Sequence, residues 1–146
     1  MSTKKILLPL ITECIPAGFP SPAENYIDTS IDLNEELIRN PSSTFFLRVQ
    51  GESMSNAGIL DGDLLIVDRS INPQPGHIVV AALNGSFTLK RLTYHKNVPY
   101  LEAEHPNYSA LDLRHYESVQ IWGVAIYSIH SLSRTTRYQN NAYSTN

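Results

Sequence analysis

The chain has 146 residues, of which 42% are hydrophobic and 17% charged, and a formal net charge of −3. That length builds about one domain, burying roughly 65–70% of the surface its unfolded chain would expose. An acidic balance supplies no field that attracts nucleic acid by itself, so direct sequence-specific DNA binding is not expected. The single cysteine, Cys14, excludes an internal disulfide framework and fits a reducing compartment, which makes the cytoplasm the expected location.

Lys4 and Lys5 precede the apolar run ILLPLI and imitate the start of a signal peptide. The run is about six residues long and is broken by Pro9, too short for a signal-peptide core or a membrane span, so no membrane association is expected. Residues 1 to about 27 carry Pro9, Pro16, Pro20 and Pro22. Each proline favours extended backbone at the residue before it, and the segment reads as an arm. Within the arm, PAGFP sets Ala17 and Gly18 between prolines. Such a stretch buries little and interrupts both helix and sheet ladders. A packed core has little use for it, whereas a substrate strand needs small residues that let a nucleophile approach a carbonyl.

A short helix is expected over about residues 32–39, where Leu33 and Leu37 share a face, Ile38 widens it, and Pro41 stops it. Beyond it the chain reads as strand. The segments TFFLRVQ, DLLIVD, HIVVAALN, SFTLKRL, PYLEA and SVQIWGVAIYSIH are short, β-branched or aromatic, and separated by turn residues. That spacing predicts a mainly β domain. DGD at 61–63 and NPQPG at 72–76 are turn chemistry. Asn84-Gly85, between two apolar runs, predicts a type I′ hairpin, which needs positive φ at both central residues. The end, SRTTRYQNNAYSTN, is polar and aperiodic and reads as a frayed tail. There is no internal repeat.

Five histidines, His77, His95, His105, His115 and His130, match no metal-binding spacing, so neither a metal nor a cofactor is expected. A Ser/His/Asp triad stays open, since geometry and not chain order defines it, but nothing in the sequence favours it. The two acids of DGD supply far fewer oxygens than the roughly six to eight that Ca²⁺ takes.

The informative stretch is VQGESMSNAGILDGDLLIV at 49–67, where Ser53 stands two residues after Gly51 and leads into a loop. An isolated G-x-S is ordinarily a loop serine. A serine hydroxyl becomes a nucleophile when a base takes its proton, and a neutral lysine can be that base. Free lysine is neutral in only about one molecule in a thousand at neutral pH, and burial lowers its pKa by up to about 3–5 units. Lys90 in FTLKRL is the candidate. Strand alternation puts Thr88, Lys90 and Leu92 on one side and Phe87, Leu89 and Arg91 on the other. The competing reading is an edge strand on which Lys and Arg deter aggregation, and pattern by itself favours that reading. Both remain open at the level of pattern.

GESM at 51–54, GILDGDLLIVD at 58–68 and FTLKRL at 87–92 closely resemble, in this order, the self-cleaving serine peptidases of the LexA and UmuD family, peptidase S24. GFPSPAENYI at 18–27 and IDLNEELI followed by PSSTFF extend the likeness over roughly residues 17–130. The resemblance implies a LexA/signal-peptidase-like domain of several twisted antiparallel sheets, with an extended N-terminal arm. It implies Ser53 as nucleophile, Lys90 as general base and Ala17-Gly18 as the scissile bond. The backbone amides of Glu52 and Ser53 are the expected oxyanion donors. The expected division is an arm segment 1–17 removed by self-cleavage, a remaining arm with the helix at 18–40, a Ser/Lys β domain at 41–131, and a disordered tail at 132–146. Too little chain precedes the Ala-Gly pair for the helix-turn-helix domain of the repressors. Pro16 departs from the family's usual residue before the cleavage position and removes one donor from the arm strand.

By the same resemblance the expected partners are a second copy in a homodimer, a RecA filament on single-stranded DNA that stimulates cleavage, and a UmuC-type polymerase subunit. The implied setting is translesion synthesis in the SOS response to DNA damage. Two rivals are a type I signal-peptidase-like enzyme, which would need a membrane anchor, and a non-catalytic interaction module on the same scaffold.

Overall fold

A computed structural model describes residues 4–11, 18 and 28–133. The chain divides into two compact units, residues 1–39 and residues 40–146. The expectations for Cys14, Pro16, Ala17, Pro20 and Pro22, and for the tail beyond residue 133, lie outside the described residues.

In the first unit, β1 (Leu8–Ile11) pairs antiparallel with β2 (Asp28–Ile31), Leu8 opposite Ile31 and Ile11 opposite Asp28. The sequence reading has only an arm here. Pro9 is compatible with a strand because both strands of a two-stranded ribbon are edges, where a missing donor is tolerated. The helix α1 (Leu33–Leu37) is shorter than the expected 32–39. Asp32 caps it by accepting from the Asn34 N–H at 3.0 Å, and Ile38 is already extended, at φ −113° and ψ 92°. Ile38 therefore lies outside the helix whose face it was expected to widen.

The second unit is a seven-stranded antiparallel sheet with strand order β3-β4-β9-β5-β6-β7-β8. Its strands are β3 (Thr44–Arg48), β4 (Leu64–Asp68), β5 (Ile78–Leu83), β6 (Ser86–His95), β7 (Val98–Glu102), β8 (Leu111–Asp112) and β9 (Val119–Ile129). The mainly β expectation holds, and every predicted strand segment appears. The two-residue β8 was not anticipated. Asn84 and Gly85 have φ 48° and 84°, the positive values a type I′ hairpin requires.

Alternation along β5 sends Val80 into one core cluster, with Met54, Leu65 and Val67, and Val79, Ala81 and Leu83 into another, with Leu92, Leu101 and Val124. A strand buried on both faces needs apolar residues at every position, which accounts for the unbroken IVVAAL. The topology bears out the edge-strand reading of FTLKRL only in part, and Lys90, at 9% exposed, is not a surface charge. β6 lies between β5 and β7, and β7 covers it from Arg91 to His95. Residues 86–90 have β5 as their strand neighbour and, among the described residues, none on the other side.

Asp68, at the end of β4, fastens this strand to the start of β3. It is 1% exposed and accepts from Asn40 Nδ2 at 2.8 Å, Ser43 Oγ at 2.9 Å, Ser70 N at 2.8 Å and Ser70 Oγ at 2.7 Å. Burial pushes its pKa up, but these four donors outweigh it and hold the carboxyl at about 2.

Candidate active site

The loop after β3 is held at several points, and each has a chemical cause. The Val49 N–H donates to the Asp63 carbonyl and the Gly62 N–H to the Val49 carbonyl, both at 2.8 Å. The Gly51 N–H donates to Asp61 Oδ1 at 2.7 Å. Gly51 has φ 94°, a left-handed conformation that side-chain-bearing residues rarely adopt. The chain turns there and carries exposed Glu52 and half-buried Ser53 to Met54, which is 2% exposed and anchored in the core. Among the described residues, the N–H groups of Glu52 and Ser53 donate to no acceptor. DGD is thus a turn, as expected, with the Asp61 carboxylate accepting from the Gly51 N–H and the Asp63 carboxylate from the Leu60 N–H at 2.8 Å.

Lys90 approaches from β6, opposite Val79 in register. It is 9% exposed, and burial, which disfavours the ammonium, lowers its pKa from the usual lysine value. Its Nζ lies 3.3 Å from Ser53 Oγ, 2.7 Å from Thr88 Oγ1 and 3.1 Å from the Leu89 carbonyl. None of these partners is a carboxylate that would hold the proton in place. A neutral amine here donates its two hydrogens to Thr88 and Leu89 and turns its lone pair toward the Ser53 hydroxyl.

The pair opens onto a cleft of about 690 Å³, lined by Phe45, Leu47, Val80, Leu89 and Tyr108 among others. Phe87 and Trp122 form one wall, their rings edge-to-face with centroids 5.2 Å apart. Arg69 stacks over Trp122 at 4.9 Å. Trp122 is where β9 holds one residue more than β5, since Val80 faces Gly123 and Ala81 faces Ile121. Such a bulge re-aims the extra side chain. The cleft is flanked by β3, which among the described residues pairs with β4 alone, and by the stretch 86–90, uncovered among the same residues, so backbone donors and acceptors are available along both margins.

The structure thus brings together Ser53, Lys90 and the two amides singled out from sequence. Gly18 is exposed, with open space where a Cβ would stand. Thr88 was missed as a partner of Lys90, although alternation put both on one side. Of the histidines, His130 meets buried Asp63 at 2.6 Å, but Ser128 donates to that same carboxylate at 3.0 Å. This Asp-centred cluster lacks the serine-to-histidine bond of a triad. Among the described residues no cluster of His, Cys, Asp and Glu has the makings of a metal site, and no helix is long and apolar enough to cross a membrane.

A Peptidase S24-like family profile matches residues 9–126, and the chain belongs to this family of self-cleaving serine peptidases. Within it the chain is UmuD-like. It is 45% identical to Protein ImpA of Salmonella typhimurium over 124 residues, 84% of this chain and 83% of the relative. It is 42% identical to Protein MucA of Escherichia coli over 131 residues, 84% of each chain. To the LexA repressor of Shewanella sediminis it is 38% identical over 127 residues, 86% of this chain and 60% of the repressor.

Proposed function

We propose that the chain cuts its own Ala17-Gly18 bond, with Ser53 as nucleophile and Lys90 as general base. The observation that carries this reading is the 3.3 Å approach of Lys90 Nζ to Ser53 Oγ by a lysine whose pKa burial lowers. Neutral Lys90 takes the hydroxyl proton while Oγ attacks the Ala17 carbonyl. The N–H groups of Glu52 and Ser53, free of other acceptors among the described residues, receive the oxyanion. Protonated Lys90 then gives its proton to the departing Gly18 nitrogen, leaving an ester between Ala17 and Ser53. Water, deprotonated by the same amine, hydrolyses the ester and restores the hydroxyl. For this the arm must enter the cleft, and the free margins at β3 and at 86–90 suit an added strand held by main-chain hydrogen bonds.

As a UmuD-like member of its family, the chain acts in the cytoplasm in SOS mutagenesis. A RecA filament on single-stranded DNA favours the conformation with the arm in the cleft, which requires differential affinity for that state. The shortened product, starting at Gly18, forms a homodimer and serves a UmuC-type polymerase subunit in translesion synthesis. The pH dependence of unassisted cleavage tests the base. The rate rises between pH 7 and pH 10 as Lys90 loses its proton, and a flat profile removes lysine from that role.

A further inference from the structure

Lys90 and Arg91 are neighbours on β6 whose side chains point to opposite sides, and both are linked to the loop that carries Ser53, one directly and one through Glu104. Lys90 meets Ser53 directly. Arg91 acts at a distance: its Nε forms an ion pair with Glu104 Oε1, while its Nη1 donates to the Gly76 carbonyl at 2.6 Å. The Glu104 carbonyl in turn accepts the Asn56 N–H at 2.8 Å. Asn56 lies three residues after Ser53, inside the single-turn helix Ser55–Ala57. The segment around Glu104 also folds on itself, with the Asn107 N–H on His105 Nδ1 at 3.1 Å and His105 edge-on to Tyr108. Tyr108 lines the cleft.

We infer that Arg91 and Glu104 are positioning residues for self-cleavage, an ion pair that holds the Ser53 loop from its far end while Lys90 holds it from the near end. The inference rests on the assignment of Ser53 and Lys90 above and deepens it. Arg91 and Glu104 are each about a third exposed, at 32% and 31%, so the fold does not depend on them as it does on the buried core. The geometry at Ser53 does. Its 3.3 Å separation from Lys90 is already long for a hydrogen bond, which is lost by about 3.6 Å. The loop's near end is fixed by the Gly51 N–H on Asp61 and by buried Met54. Its far end is tied to the core by buried Ile59 and to itself by the Ala57 and Ile59 N–H groups on the Met54 carbonyl, and the Glu104 carbonyl, placed by Arg91, adds the tie from outside the loop at Asn56.

The test uses the full chain with Arg91→Glu, Glu104→Arg, the charge-swapped double variant, and the near-isosteric Glu104→Gln. Two quantities are read: the first-order self-cleavage rate across pH 7–10, and amide hydrogen exchange at Asn56. Each single variant is expected to cleave roughly 10- to 100-fold more slowly at every pH, the scale of an ångström-sized misplacement. The shape of the pH profile stays unchanged because Lys90 keeps its burial. Asn56 exchanges faster in the single variants, and the double variant recovers both rate and protection. Wild-type rates in the single variants, unchanged exchange at Asn56, or a double variant as slow as its parents would each overturn the inference. Exchange is also measured in a Ser53→Ala background, where no cleavage is needed. If cleavage proves independent of Ser53, the site assignment falls, while the brace between Glu104 and Asn56 is still judged on exchange alone.

Discussion

Asp68→Asn removes a charge from the junction of β3 and β4 while keeping its shape. In the folded chain the carboxyl titrates at about 2, against 3.8 for the ordinary side chain. At about 1.36 kcal/mol per unit that shift amounts to about 2 kcal/mol at neutral pH. The group is buried, so solvent screening takes little from it. Since the folded pKa is depressed, the stabilisation is fully present above the unfolded pKa and disappears as pH falls through the folded one. Asparagine lacks it at every pH. Thermal unfolding at pH 7 should therefore place the variant roughly 4–8 °C below wild type for a chain of this size. The gap should narrow below about pH 4 and close near pH 2. Because Asp68 ties down the strand that leads to Ser53, cleavage at 37 °C should weaken in step with stability. A gap that persists unchanged to pH 2, or no gap at pH 7, would refute the reasoning that the four donors hold an ionised carboxylate.

The same linkage applies to Lys90, where the charged form is the one the fold disfavours. Burial lowers its folded pKa, so wild-type stability rises as pH climbs through that value toward the unfolded 10.5. Lys90→Met, similar in volume and without the charge, should unfold at higher temperature than wild type at pH 7, and its advantage should shrink toward pH 10.5. A constant advantage would mean that the ammonium is not destabilised. Gly123→Ala should cost about 1–3 kcal/mol of unfolding free energy through overpacking, because a Cβ there would stand 2.6 Å from Val67 Cγ1 and 3.2 Å from the Asp68 carbonyl. An unchanged midpoint in urea would show that β4 yields to β9 more easily than this contact implies.

Much of this was legible in the sequence because it depends on local chemistry. Asn84-Gly85 announces a hairpin through its need for positive φ. The apolar run over β5 announces a strand, whereas the family resemblance joins Ser53 and Lys90 as a pair, since pattern leaves a loop serine and a basic edge strand open. What escaped is set by pairing between distant segments. Pattern cannot tell an edge strand from an inner one, so FTLKRL reads as a basic edge throughout until β7 is found against Arg91 and Leu92. The hairpin at Lys96 and Asn97, with φ 53° and 65°, lacks the glycine that would mark it. The bulge that aims Trp122 into the cleft arises from a mismatch between β9 and β5, and neither strand shows it separately. Glu104 looks like any loop acid until its carbonyl is found on Asn56. The ribbon of β1 and β2 was hidden by Pro9, which argues against a strand everywhere except at an edge.

The most direct test of the central claim is intact mass spectrometry of the purified chain incubated with RecA, single-stranded DNA and a nucleotide, beside Ser53→Ala and Lys90→Ala. The account predicts two fragments from the wild-type chain, one ending at Ala17 and one beginning at Gly18, and an intact chain from both variants. Cleavage at another bond, or cleavage that survives Ser53→Ala, would contradict it.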